Sequence, residues 1–453
     1  MFQRLLPVIC AGLIATVFST GLSSCKKDDD KTPEPPVVTP TSRELSGELT
    51  SDKTLTNDSV WTLKGYVYVK EGATLTIPAG TIIKSHIIDK GAIIVERGAK
   101  IIAEGTASQP IVFTSGMPQG QRRPGDWGGI IILGKAPTNR SSEPTIEGGV
   151  NRNYGGTNPN DTSGILKYVR IEFAGIASAP GSEINGLTLG GVGSGTVIEN
   201  VMVSYGNDDA FEFFGGTVNA KNLIAWSCLD DDFDFDYGYT GKIQFAISAK
   251  HPQFVDNGDA SNGIEADNDG SGSLATPFTH PKLSNFTFIG PNNRPNTLSN
   301  HNLGNRWRRS VHFTIRNSMI VGHQKGAFSM ESEETADSWF NGTSEFKNNI
   351  VWAVTRPWVG HSSANTTDSS VRAFALNAAN ANIELDSANQ VMLSNPWSLT
   401  APSFVPQAGS VALSGASFAG LDNFFMPVSF IGAIGNEDWT SGWAEWDPNN
   451  ASY

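Results

Sequence analysis

The chain has 453 residues, a formal net charge of −13 and a charged fraction of only 17%. That balance excludes a nucleic-acid-binding surface, which needs a basic face to displace counterions, and an acidic polymer would have to be met by a local cationic patch or a metal bridge. The 48 glycines, with many Asn, Thr and Val, mark a β protein with many tight turns and few long amphipathic helices.

In chain order, residues 1–24 read as an export signal, with Arg4 ahead of an apolar run from Leu5 to Leu22. Leu22-Ser23-Ser24-Cys25 resembles a bacterial lipobox. The resemblance implies cleavage before Cys25, lipid attachment there and a membrane partner reached through that lipid. Lys26-Lys27-Asp28-Asp29-Asp30 and the Pro-rich TPEPPVVTP make residues 25–48 a flexible tether. The charge run resembles the signal that sends Bacteroidota lipoproteins to the outer face of the outer membrane, so the expected location is lipid-anchored and surface-exposed. With Cys25 lipidated, Cys228 has no cysteine to pair with.

Between Val60 and Ser115, glycines at 65, 72, 80, 91, 98 and 105 punctuate short runs of Ile, Val and Thr, the signature of short strands. Gly125-Asp126-Trp127-Gly128-Gly129 leads into IIILGKAP, followed by the long irregular TNRSSEPTIEGGVNRNYGGTNPNDTSG. Loops of that length in a compact body are functional, mobile or coverings. The stretch Gly195–Gly238 then contains one phrase twice. Phe211, Glu212, Phe213 and Asn200 recur as Phe233, Asp234, Phe235 and Asn222, always 22 residues on. A fixed period of this kind marks a stacked solenoid; a closed barrel also uses short strands but needs no such copying. Alternation within each copy predicts phenylalanines pointing in and acids pointing out. Matching Ile264 to Phe211 and Phe233 brings Glu265 into the same outward column.

The Asn-apolar phrase returns at Asn285, Asn317 and Asn348, predicting a ladder of amides bonding the next coil's backbone. The reading is therefore an all-β, right-handed parallel β-helix over residues 49–360. Irregular coils and an aromatic cap follow over 361–453, in which Trp439, Trp443 and Trp446 close the last coil.

Two segments carry candidate chemistry. Carboxylates stacked about 5 Å apart repel by roughly 3 kcal/mol at an effective dielectric of about 20, and a cation, a raised pKa or an overlying guanidinium each relieve that. Asp209, Glu212, Asp232, Asp234, Asp236, Glu265 and Asp267 supply more oxygens than one Ca²⁺ requires. Asp208 and Asp209, read as neighbours in one strand, are expected on opposite faces. Arg306-Trp307-Arg308-Arg309 is the candidate ligand-binding segment, with an indole for a sugar ring and guanidinium forks for carboxylates; alternatively, Arg308 or Arg309 lies over Glu265 and neutralises it.

The phrases NDDAFEFFGG, DDDFDFD, GDWGGIIILGKAP, LGNRWRRSVHFTIRNSMIVG, SGASF and the terminal GxxDWTxGWxxxDP together resemble a family of Bacteroidota surface lipoproteins. That resemblance runs from about Leu49 to the C-terminus and implies a parallel β-helix loosely related to the pectin-lyase-like fold; it implies no reaction. Asn207-Asp208-Asp209 is similar to the paired aspartates of polygalacturonase-type helices, yet Gly322-His323-Gln324 stands where Gly-His-Gly would be needed, so no catalytic residue is assigned. The leading expectation is non-catalytic binding of an extracellular glycan or another surface component. A polysaccharide lyase or hydrolase is the alternative, and a structural surface protein or adhesin the third.

Overall fold

The computed structural model describes residues 43–179, 182–258 and 260–453; the export signal, Cys25 and most of the tether lie outside them. Strands such as Ala92–Val95, Ile130–Leu133 and Phe211–Phe214 are four residues long, too short to hold a sheet alone. Each pairs in parallel with the corresponding strand one coil before and one coil after, joining 26 strands in one continuous ladder. Parallel pairing begins at Arg43 and reaches Glu384, wider than the 49–360 of the sequence reading. Among the described residues no helix is long and apolar enough to cross a membrane.

The ladder has three faces. Face 1 stacks Ala92–Val95, Ile130–Leu133, Leu187–Gly190, Phe211–Phe214, Phe233–Asp236, Ile264–Ala266, Leu303–Trp307 and Gly326–Met330. Faces 2 and 3 are the halves before and after a bend in long strands, among them Val197–Ser204, Asn219–Trp226 and Lys282–Ile289. At the bend stand Tyr168, Asn200, Asn222, Phe245, Asn285, Asn317 and Asn348, all with φ between 49° and 62°. Asparagine recurs there because it tolerates the left-handed conformation better than most side chains.

The amide ladder expected at those asparagines is not what forms. The side chains of Asn285, Asn317 and Asn348 donate instead to the carbonyls of Phe430, Ser417 and Gly415 in the C-terminal segment. A coil-to-coil ladder does exist elsewhere. Asp209 accepts from the Asp231 N–H at 2.8 Å, Asp231 from the Asn262 N–H, and Asn262 from the Leu303 N–H at 3.1 Å.

Inside face 1 the phenylalanines stack as the repeat predicts, Phe211 on Phe233 with centroids 5.2 Å apart and planes 6° from parallel. Phe213 and Phe235 do the same at 5.1 Å. Each buried ring contributes about 1.5–3 kcal/mol by area and each pair about 0.5–1.5 kcal/mol more.

The helices α1 (Glu333–Phe340) and α2 (Asp368–Ala375) close the last coils. They bring Trp339 and Phe374 together over Phe328, Phe346 and Trp358. The C-terminal tryptophans, expected as that cap, lie elsewhere because the flank of face 3 presents its own apolar stripe. Met202, Ile224, Ile247, Ile289 and Met319 are buried there beneath Ile431, Ile434 and Trp443. The segment runs back against the direction of coil stacking, from Gly415 beside Asn348 to Tyr453, whose carbonyl accepts from Lys84 Nζ at 2.9 Å.

The long insertion after Pro137 is a covering. Its Ile146, Val150 and Tyr154 pack on the outward Ile94, Ile131, Leu133 and Phe214 of face 1, roofing the first coils of the face that carries the acids.

Candidate cation-binding site on face 1

Register fixes one outward column along face 1: Ile94, Ile131, Thr188, Glu212, Asp234, Glu265, Arg306 and Ser329. The column changes character along its length, from apolar beneath the insertion, through three acids, to a cation. Glu212, Asp234 and Glu265 stand in consecutive coils, as the 22-residue repeat and the match at Ile264 predict.

The C-terminal half is neutralised by arginine. Arg306 donates to Glu265 at 2.7 Å and grips Glu331 with two nitrogens at 2.9 and 3.1 Å. Arg308 pairs with Glu265 and takes Asp267 bidentately at 2.8 and 3.0 Å, and Arg309 reaches Asp267 at 2.6 Å. Forks held this way are geometrically fixed and charge-satisfied. Glu265 and Asp267 therefore leave the set of carboxylates that need a metal, and the three arginines are not free for a ligand. Trp307 is no surface platform either. Register puts it in the inward row with Phe213, Phe235 and Ala266, fully buried and stacked 4.6 Å from Phe313.

Among the described residues, Glu212 and Asp234 in the N-terminal half have no such arginine partner. Oxygens of Asp209, Glu212 and Asp234 lie within 4.8 Å of one another, and so do those of Asp208, Asp209 and Asp230. These are two overlapping triads that share Asp209. Asp208 and Asp209 occupy the bend before Phe211–Phe214, not a strand, so the strict alternation that would send them to opposite faces does not apply. Asn185 donates to Glu212 and, at 3.2 Å, to Glu147 from the insertion. Among the described residues the Asp234 carboxylate makes neither a hydrogen bond nor an ion pair.

Electrostatics follow from this geometry. Burial, then the Glu147 and Asp209 carboxylates, hold Glu212 well above the usual carboxylate range. Burial, then Glu265 and Asp236, do the same to Asp234, and burial with Asp230 and Asp208 to Asp209. Asp208 is pushed up to about 8 by burial and by Glu147. Burial first, and the neighbouring carboxylates second, thus favour the protonated form of these carboxyl groups. Clustered carboxylate oxygens, buried at Asp209 and Glu212 and half-buried at Asp208, Asp230 and Asp234, are the donor set a hard divalent cation takes.

Two further acids from the sequence reading sit apart. Asp232 is fully buried and points away from the triads, 3.0 Å from Lys250 Nζ, with Ser248 donating to its other oxygen. Asp236 accepts from the Tyr237 N–H at 2.6 Å and faces Asp267. Sequence reasoning missed Glu147 and Asn185. Both reach the site only through tertiary folding of the insertion and of the turn before Leu187–Gly190, and no spacing signals them.

Fold and site together define a parallel β-helix that carries carboxylate triads on one outward face. Residues 47–398 match the pectate-lyase like beta helix domain, and the chain belongs to that family. Among solved structures it is similar to the crystal structure of pectate lyase Pel9A, at 13% identity and a TM-score of 0.38 over 84% of this chain and 88% of that one. No curated protein compared with it matches.

Proposed function

We propose that this protein binds an acidic extracellular glycan, without cleaving it, through a Ca²⁺ ion held by Asp208, Asp209, Glu212, Asp230 and Asp234. The observation that carries the reading is the division of the column: arginines satisfy its C-terminal carboxylates, and among the described residues no basic side chain pairs with Glu212 or Asp234, which lie beside Asp209. When bound, the ion supplies positive charge that carboxylates of the glycan share with those of the protein. The lipobox at Cys25 and the charges after it support an anchored, outward-facing location for such a binder.

Non-catalysis is argued from the cationic side chains. Proton abstraction needs a base within reach and in its unprotonated form. Beside the site, Arg306, Arg308 and Arg309 are paired, and Lys250 is fully buried against Asp232. Burial alone would lower the Lys250 pKa, but Asp232 and Asp231 outweigh it and raise it, which keeps the ammonium charged.

A lyase is the second reading, favoured by the pectate-lyase-like family and by the Asp208–Asp209–Asp230 triad. Calorimetric titration with polygalacturonate and alginate, in Ca²⁺ and in EDTA, tests the proposal alongside ultraviolet detection of unsaturated ends. Calcium-dependent binding with no product supports it. Product formation establishes the lyase, and absence of binding in Ca²⁺ overturns both.

A further inference from the structure

Where the C-terminal segment crosses the bend column, it seals against Asn285, Asn317 and Asn348 but stands off at Asn222. The gap is a cavity of about 540 Å³, lined by Asn222, Lys221, Phe245, Phe430, Trp439 and Glu437. Phe430, Trp439 and Glu437 belong to the segment beyond residue 398, outside the stretch that the family domain matches.

From this geometry we infer a second site, independent of metal, that takes one or two rings of a neutral sugar. Three observations carry it. Trp439 is only half-buried, yet its ring is fixed: its indole N–H donates to the Ala433 carbonyl at 2.8 Å, and Trp443 stacks behind it at 6.3 Å while donating to the Trp439 carbonyl. A rigid aromatic wall with its polar atom already satisfied offers a bare π-face, which the C–H face of a pyranose covers. Next, the Asn222 amide has no hydrogen-bond partner among the described residues, unlike those of Asn285, Asn317 and Asn348, and it lines the cavity with two donors and an acceptor to offer. Finally, the cavity carries one cation, Lys221, and one anion, Glu437, so its charge balances and it suits hydroxyl groups rather than an ionised ligand. The volume lies in the range of small-ligand pockets, about 300–1,000 Å³.

Saturation-transfer NMR and calorimetry of the whole protein test this. The probes are glucose, galactose, mannose, xylose and N-acetylglucosamine with their disaccharides, each in Ca²⁺ and in EDTA. At least one is expected to bind equally in both buffers. Asn222→Gly keeps the backbone at ease, because glycine adopts the φ of 58° without cost, and it should weaken binding about fivefold. Trp439→Ala should weaken it at least about tenfold. The inference is overturned if no probe binds, if EDTA abolishes binding, or if Asn222→Gly binds as tightly as the wild type.

Discussion

Asp234→Asn isolates the repulsion within the unmatched triad. The substitution keeps shape and volume and removes one charge whose oxygens lie within 4.8 Å of those of Asp209 and Glu212. Two full charges at that distance and an effective dielectric of about 20 repel by about 3 kcal/mol. Glu265, the neighbour on the other side, is matched by Arg306 and Arg308 yet still raises Asp234, and so adds to the repulsion that the substitution relieves. Because burial keeps part of the triad protonated, the full repulsion develops only as the acids ionise. In EDTA the variant should therefore be more stable than the wild type by about 1–3 kcal/mol at pH 8, a rise of about 1–4 °C in midpoint, and equal to it near pH 5. In Ca²⁺ the order reverses, since a ligand oxygen has lost its charge. Thermal melts of both proteins at the two pH values, with and without the ion, read this directly. A lower midpoint for Asp234→Asn in EDTA at pH 8, or an equal calcium shift in both proteins, would refute the argument.

In EDTA the wild type should lose stability as pH rises from about 4 to about 8. The acids of face 1 have folded pKa values raised above the unfolded ones, with Asp208 and Asp231 near 8, so across that window the folded state holds more protons and unfolding releases them. Ca²⁺, which binds the ionised form, should flatten or reverse the trend in the same melts. Lys250→Met leaves Asp232 buried and unpaired and should cost about 3–5 kcal/mol in urea unfolding, much of it recovered by adding Asp232→Leu. Trp307→Ala should cost about 3–5 kcal/mol as a core cavity while leaving calcium-dependent polysaccharide binding by the folded protein unchanged. Loss of binding with no loss of stability would return Trp307 to the surface.

What the sequence made legible was whatever the solenoid repeats. The 22-residue offset gives the coil, the inward phenylalanines and the outward column, because parallel register transmits one residue's direction to the next coil. The same logic carried through Ile264 places Glu265 correctly, and it holds one coil further, where Asn305, Arg306 and Trp307 sit opposite Ile264, Glu265 and Ala266. That step alone turns Trp307 inward and Arg306 onto Glu265. Strand alternation does not reach Asp208 and Asp209, because they lie in the bend before the strand that begins at Phe211. Glu147, Asn185 and the course of the last 50 or so residues were not legible, since each depends on a non-repeating segment finding an apolar stripe on a surface that must first be assembled.

The returning C-terminal segment changes how the stack behaves as a whole. In a simple solenoid each coil feels only its neighbours, so ends fray and unwinding spreads by steps. Here one strand of chain is tied to many levels, from Asn348 and Asn317 through Gln244 and Trp226 to Lys84. Opening any coil on face 3 strains attachments at the others, and the array gains a long-range cooperativity that its pairings alone do not provide. It also sets an order of assembly. The tie is synthesised after the coils it covers, so the stripe of Met202, Ile224 and Ile247 stays uncovered until Ile431, Ile434 and Trp443 have emerged, and a product truncated before them would carry it as an adhesive edge.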